Sequence, residues 1–207
     1  MSPRRFGMYA GGMNTNLPIP SSGRILLLVT PAAGIEPLFE MVARLVERSP
    51  LYVLDGGNIF QGYQLARILR RRTPDYAALL AKVLLSRVFT CYQMAALLSE
   101  STFVAQPVLV LDFLATFYDQ NVRLTDRRRL LRLCLAQLKR LSLQAPVALW
   151  VRQRSLVPEE ALSFLDEVQA AAGHIWAPAK PPVPAWQQTG LWGESPSPFS
   201  GHDWQTP

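Results

Sequence analysis

From residue 24 onward the chain alternates short runs of unbroken Val, Leu and Ile with longer stretches whose apolar residues recur every three or four positions. The first kind reads as buried strand and the second as amphipathic helix. Ile25–Val29, Leu51–Leu54, Val83–Val88, Val108–Leu111 and Val147–Val151 are the expected strands. Glu36–Arg48, Tyr63–Arg72, Tyr76–Lys82, Tyr92–Leu98, Thr125–Leu143 and Pro158–Ala172 are the expected helices. A strand that is apolar at every position has both faces covered, and intervening helices supply the crossovers that parallel neighbours need. The pattern predicts one α/β domain with a mainly parallel twisted sheet flanked by helices. It contains no internal repeat.

The ends of the chain read differently. Residues 1–22 are rich in Gly, Pro, Ser and Asn without periodicity and are expected to form a flexible lead-in to a core spanning 23–172. Residues 173–207 hold seven of the 17 prolines and four of the five tryptophans. Such a segment has too little contiguous apolar surface to order itself. Pro181, Pro182 and Pro184 favour extended backbone, which suits capture in an aromatic-lined groove. Trp186, Trp192 and Trp204 are therefore candidates for docking a partner. The competing expectation is that Trp176 and Trp186 fold back over an edge of the sheet.

Composition narrows the function classes. A chain of 207 residues, 49% hydrophobic and 17% charged, suffices for one core and leaves little for a second. No apolar run approaches the ~18–20 residues of a membrane span, and the start lacks the apolar stretch of a secretory signal. A cytoplasmic protein without membrane contact is expected. Cys91 and Cys134 sit in apolar helical stretches and read as buried thiols rather than a disulfide or zinc site. His174 and His202 make no cluster, and no Ser/His/Asp or Cys/His set stands out. No metal, cofactor or catalytic residue is assigned. The net charge of +6 permits nucleic-acid contact without requiring it.

Four stretches, in order, resemble the ATPase core of the RecA/RadA recombinases over roughly Arg24–Gln153. Where that family places its phosphate loop the chain reads Val29-Thr30-Pro31-Ala32-Ala33-Gly34-Ile35-Glu36. The next strand ends in Asp55-Gly56-Gly57-Asn58-Ile59-Phe60, where the family has an Asp-Thr-Glu-Gly-Thr-Phe string. Ser86-Arg87-Val88-Phe89, followed by Gln93 and Leu97-Leu98, is similar to the family's third strand and its Gln-rich helix. Val108–Asp112 looks like the acidic strand end, and Ala148-Leu149-Trp150-Val151-Arg152-Gln153 like the strand presenting a sensor glutamine.

The departures bear on function. A working phosphate loop needs two glycines, a lysine for the β/γ-phosphates and a Ser/Thr hydroxyl for magnesium. Of these only Gly34 is kept. Val29, Ile35 and Glu36 stand at the first glycine, the lysine and the hydroxyl, and the catalytic glutamate falls on Gly57. Glu36 would repel triphosphate, and a second reading makes it the cap of its own helix. The resemblance thus implies a non-catalytic RecA-like protein that assists DNA recombination, repair or its regulation through a protein partner, a RecA-like paralogue among the candidates. Two alternatives stay open: a divergent nucleotide-binding ATPase, and a RecA-like cell-division regulator without a phosphate loop.

Several side chains carry two readings each. Asp112 is either a relic magnesium carboxylate or a strand-end cap for the loop Leu114–Leu124. Arg87, Arg152 and Gln153 are either relics of a sensing site or strand-end hydrogen-bond donors. In the helix Thr125–Leu143, Leu130, Leu131, Cys134, Leu138 and Leu141 share one stripe, and Arg128, Arg129, Arg132, Lys139 and Arg140 gather opposite. Thr125 and Asp126 suit its start. The basic face is either solvated or a contact for phosphate backbone. With Arg123 and Arg154 it makes Arg128, Arg132 and Lys139 candidates for weak, non-specific DNA binding. Phe117, Tyr118 and Arg123 in the preceding loop form an aromatic-plus-cation set compatible with base stacking.

Overall fold

The structure, a computed structural model, describes residues 17–31, 35–100 and 106–177. Gly34, Trp186, Trp192 and Trp204 lie outside the described residues, so the tail's docking role and the loop's remaining glycine rest on sequence alone.

Six strands form one all-parallel sheet: β1 (Ile25–Pro31), β2 (Leu51–Asp55), β3 (Val83–Arg87), β4 (Val108–Leu111), β5 (Val147–Gln153) and β6 (His174–Trp176), in the spatial order β3-β2-β4-β5-β1-β6. The helices are α1 (Glu36–Arg48), α2 (Gly62–Arg70), α3 (Tyr76–Leu80), α4 (Cys91–Glu100), α5 (Leu124–Ser142) and α6 (Ser163–Ala171). The architecture is the expected α/β one, consistent with a single RecA-like domain. No helix among the described residues is long and apolar enough to cross a membrane.

Each strand's alternation splits the core into two layers. Leu26, Leu28, Val53, Leu109, Leu111, Ala148 and Trp150 face α1 and α2. Ile25, Leu27, Leu54, Val108, Val110, Val147, Leu149 and Val151 face α4, α5 and α6. α1 contributes Leu38, Phe39, Met41, Val42, Leu45 and Val46 as one buried stripe, with Pro37 in its first turn, where a missing N–H costs nothing. The Trp150 indole N–H donates to Thr30 Oγ1 at 2.7 Å, so the bulkiest side chain of the core keeps its one polar atom satisfied.

Three expectations are corrected. The loop Leu114–Leu124 begins instead with a 3-10 turn, Phe113–Phe117, whose Phe113, Leu114 and Phe117 are buried against the α4/α5 layer. Residues Pro158–Ala172 split into a 3-10 turn, Glu159–Ala161, followed by α6. The sheet also runs past the expected boundary at 172. Leu26, Leu27 and Leu28 of β1 stand in register with His174, Ile175 and Trp176. Ile175 and Trp176 join opposite core layers, which realises the fold-back expectation for Trp176.

Cutting the chain after Ala172 strips β1 of its outer neighbour, whereas cutting after Ala177 leaves β6 in place. The shorter product is expected to melt several degrees below the longer one, about 2 kcal/mol for two partly buried apolar side chains plus ladder bonds. Equal melting temperatures would make β6 dispensable. Both cysteines are free and buried, and burial pushes the Cys134 thiol up to about 12, with a smaller contribution from Cys91. Burial likewise raises Cys91. Since the thiolate is the reactive form, neither thiol is expected to react with an aromatic disulfide reagent in the folded chain, and both are expected to react in denaturant.

Candidate functional site

In an open parallel sheet, ligands bind beyond the carboxyl ends of strands whose outgoing connections diverge. Here β2 leads outward to β3 while its neighbour β4 leads back toward β5, so the divergence lies at the ends of β2 and β4. The residues there are Asp55, Gly56, Gly57 and Asp112.

Asp55 is fully buried, and its two carboxylate oxygens accept the backbone N–H groups of Ile59 at 3.1 Å and Phe60 at 2.8 Å. This folds the 56–60 segment into a tight loop, with Asn58 at φ 52°, a left-handed conformation that Asn tolerates. The Gly56 N–H donates to the Leu111 carbonyl at 2.9 Å, holding the loop along β4. At Gly57 there is no space for a side chain. A Cβ would stand 2.6 Å from Asp112 Cβ and 2.7 Å from its Oδ2.

Asp112 follows β4 at φ 45°, ψ 52°, and is fully buried. Its Oδ2 accepts from Arg152 Nη2 at 2.5 Å and Arg154 Nη2 at 3.1 Å. The two arginines are two residues apart at the end of β5, so strand alternation turns both to one side and Gln153, which is exposed, to the other. Their side chains are 29% and 32% exposed. The Arg154 guanidinium also lies 5.4 Å from the centre of the Tyr118 ring. Burial raises the Tyr118 hydroxyl's pKa, and Arg154 opposes the rise. One buried carboxylate thus binds two guanidiniums, tying the segment after β4 to the end of β5 with an excess positive charge. Asp112 makes no side-chain cap for the turn that follows it, contrary to that expectation.

At the start of α1 the residue before the helix is Ile35, no side chain caps the end, and Glu36 is exposed with its carboxylate 3.6 Å from Arg67 of α2. The expectation that Glu36 caps its own helix is not met.

The basic helix α5 starts at Leu124 without the side-chain cap expected of Thr125 or Asp126, although Asp126 does lie in its first turn. Its basic face is only partly free. Arg128 donates to Ser163 Oγ at 3.1 Å and lies 3.4 Å from Glu167, and Arg132 donates to Glu167 Oε2 at 2.9 Å. These two arginines pair with α6 while lying opposite the leucine stripe, and the Arg132 side chain stays 66% exposed. Arg123, Lys139 and Arg140 stay exposed. Phe117 is buried and unavailable for base stacking, and Tyr118 is half-buried beside Arg154.

Sequence reasoning missed Arg127. It is buried, donates to the Phe117 carbonyl at 3.4 Å and to Glu160 Oε1 at 3.1 Å, and so joins three segments. The signal was present: Arg127 precedes Leu130 and Leu131 by three and four residues, which puts it on the leucine stripe. Glu160 is held below the usual carboxylate range, first by a backbone hydrogen bond and then by Arg127. Among the described residues no group of three or more His, Cys, Asp or Glu could hold a metal ion. No protein-family model matches the chain, and no curated protein matches it in sequence.

Gly57→Ala is expected to destabilise the chain by about 1–3 kcal/mol through the forced contact with Asp112. Asp112→Ala is expected to cost a similar ~1–3 kcal/mol, less than a fully buried pair because the freed arginines already reach water. The new methyl meets both the Asp112 Cβ, which Asp112→Ala keeps, and the carboxylate, which it removes, so the double variant should lose less than the sum of the two. Urea midpoints of the four proteins check this, and strict additivity would rule out a contribution of the carboxylate to the clash.

Proposed function

We propose that this chain is a non-catalytic protein on a RecA-like core that assists DNA recombination or repair, or its regulation, by binding a protein partner, with any DNA contact weak and non-specific. The observation that carries the non-catalytic half is the state of Asp112. A carboxylate that holds magnesium presents oxygens to an open site and works beside phosphate ligands. Asp112 instead is buried under two guanidiniums, and its neighbour Gly57 leaves no room for the glutamate that would polarise a water.

The sequence at the first crossover supports the same reading. Neither lysine nor hydroxyl stands at Ile35 and Glu36, and Glu36 brings negative charge to a helix end that would otherwise attract phosphate. The four ordered stretches that resemble the RecA/RadA core, together with the parallel sheet, support the pathway half. Residual DNA affinity would come from Arg123, Lys139 and Arg140, which stay exposed, more than from Arg128 and Arg132, which bind Glu167.

Titration calorimetry with ATP and magnesium is expected to show no binding heat and no turnover. Micromolar affinity, about −8 kcal/mol, would require a real phosphate cradle and would overturn the non-catalytic half. The pathway half predicts that removing the protein from its native cell lowers template-directed repair of an induced double-strand break. Unchanged repair would refute it.

A further inference from the structure

The two edges of the sheet differ in kind. β6 is a three-residue strand, but β3 has five residues, is mostly apolar, and shows a partly exposed leucine on each face. In the interior strands the leucines and valines other than Val29 are almost completely buried, whereas Leu84 is 41% and Leu85 is 38% exposed. Successive residues point to opposite faces. Leu85, in register with Val53, therefore lies on the α1/α2 side, and Leu84, in register with Tyr52, on the α4/α5 side. Just beyond the strand, Phe89 and Tyr92 are 65% and 48% exposed.

Among the described residues nothing pairs with the outer backbone of this edge. The Lys82 carbonyl accepts from the Leu51 N–H at 3.0 Å, and the Val88 N–H donates to the Asp55 carbonyl at 2.9 Å. The two-residue alternation of a ladder then turns the backbone groups of Leu84 and Ser86 toward β2 and those of Val83, Leu85 and Arg87 outward. A helix laid on either face would cover one leucine and leave the outward N–H and C=O groups unpaired. One strand alongside β3 covers both leucines and pairs the backbone.

Charge decides what sort of strand. Between Tyr76 and Ser99 the chain carries Lys82 and Arg87 but no acidic residue. Any pairing of β3 with a second copy of itself would gather Lys82 and Arg87 of both chains, four cations and no carboxylate, along one short edge. A foreign strand with acidic flanks meets no such penalty. We propose that β3 is a docking edge for an extended, apolar strand with acidic flanks, supplied by a different protein chain, which extends the sheet by main-chain pairing. The inference goes beyond the proposed function and rests on the edge alone, so it stands or falls without reference to nucleotide or DNA.

The test uses the full chain and a fluorescent peptide of about six alternating valines and threonines between terminal glutamates, followed by anisotropy. Saturable binding is expected. It should weaken about tenfold or more when alternate peptide amides are N-methylated, when lysines replace the glutamates, and in the variant carrying Leu84→Lys with Leu85→Lys. Leu85→Pro removes one outward N–H and no bond to β2, and should weaken binding similarly. Melting curves of both variants must match the parent, and if Leu85→Pro does not fold the lysine variant carries the test. Absence of binding, or binding indifferent to N-methylation or to the lysines in β3, overturns the proposal. So does sedimentation showing a dimer of the parent that Leu84→Lys with Leu85→Lys dissolves, because the occupant would then be a second copy.

Discussion

Strands β2, β4, β5 and β1 lie in the interior of a parallel sheet with helices on both faces, and that double burial governs nearly everything else in the molecule. Such a strand has no solvent side on which to place a polar residue. Polar groups are therefore pushed to the strand ends, where each needs a partner, because an unpaired polar group there would cost about 1–3 kcal/mol. Asp55 meets this demand with two backbone N–H groups and Asp112 with two arginines. Thr30 meets it at the Trp150 indole.

The same demand explains why the carboxyl edge is closed. Asp55 spends both oxygens on its own loop, and the loop so formed brings Gly57 against Asp112. Asp112 in turn is neutralised by arginines that only β5's extension to Gln153 can deliver, since Arg152 is inside the strand and Arg154 directly follows it. Each element fixes the next, and the outcome is a cluster suited to holding two crossovers together. Its excess positive charge sits where the two arginines, about a third exposed, still reach water.

How much of this the sequence disclosed depends on the range of the interactions involved. The first five strands and the long helices were legible because their apolar spacing is local, and Val108–Leu111 could hardly be anything but a buried strand. β6 was hidden: His174-Ile175-Trp176 is three residues long, sits beside a proline-rich segment, and becomes a strand only because β1 offers an edge. Leu114–Phe117 carries no helix signal in the sequence because a 3-10 turn has little periodic signature, though Phe113 and Phe117 pack 5.2 Å apart. The arginines of α5 do lie opposite the leucines, but α6 brings Glu167 across to two of them, from 35 residues away in the case of Arg132. The Asp112 cluster spans 40 residues and more, so its members were singled out separately without the fact that they meet.

The edges complete the logic of the sheet. Interior strands satisfy backbone and side chains together, and an edge strand can do so on one side only. At β6 the chain limits the exposed edge to three residues, partly covered because Ile175 and Trp176 reach into opposite core layers. At β3 the devices that usually blunt an edge are few. The strand contains no proline, its charge comes only at its last residue, and both of its leucines protrude. The contrast within one sheet is informative, since the same core and the same chain leave one border short and the other apolar. An apolar border flanked only by Lys82 and Arg87 favours a complementary, acidic strand over a copy of itself, and that selectivity follows from the charge pattern before any partner is named.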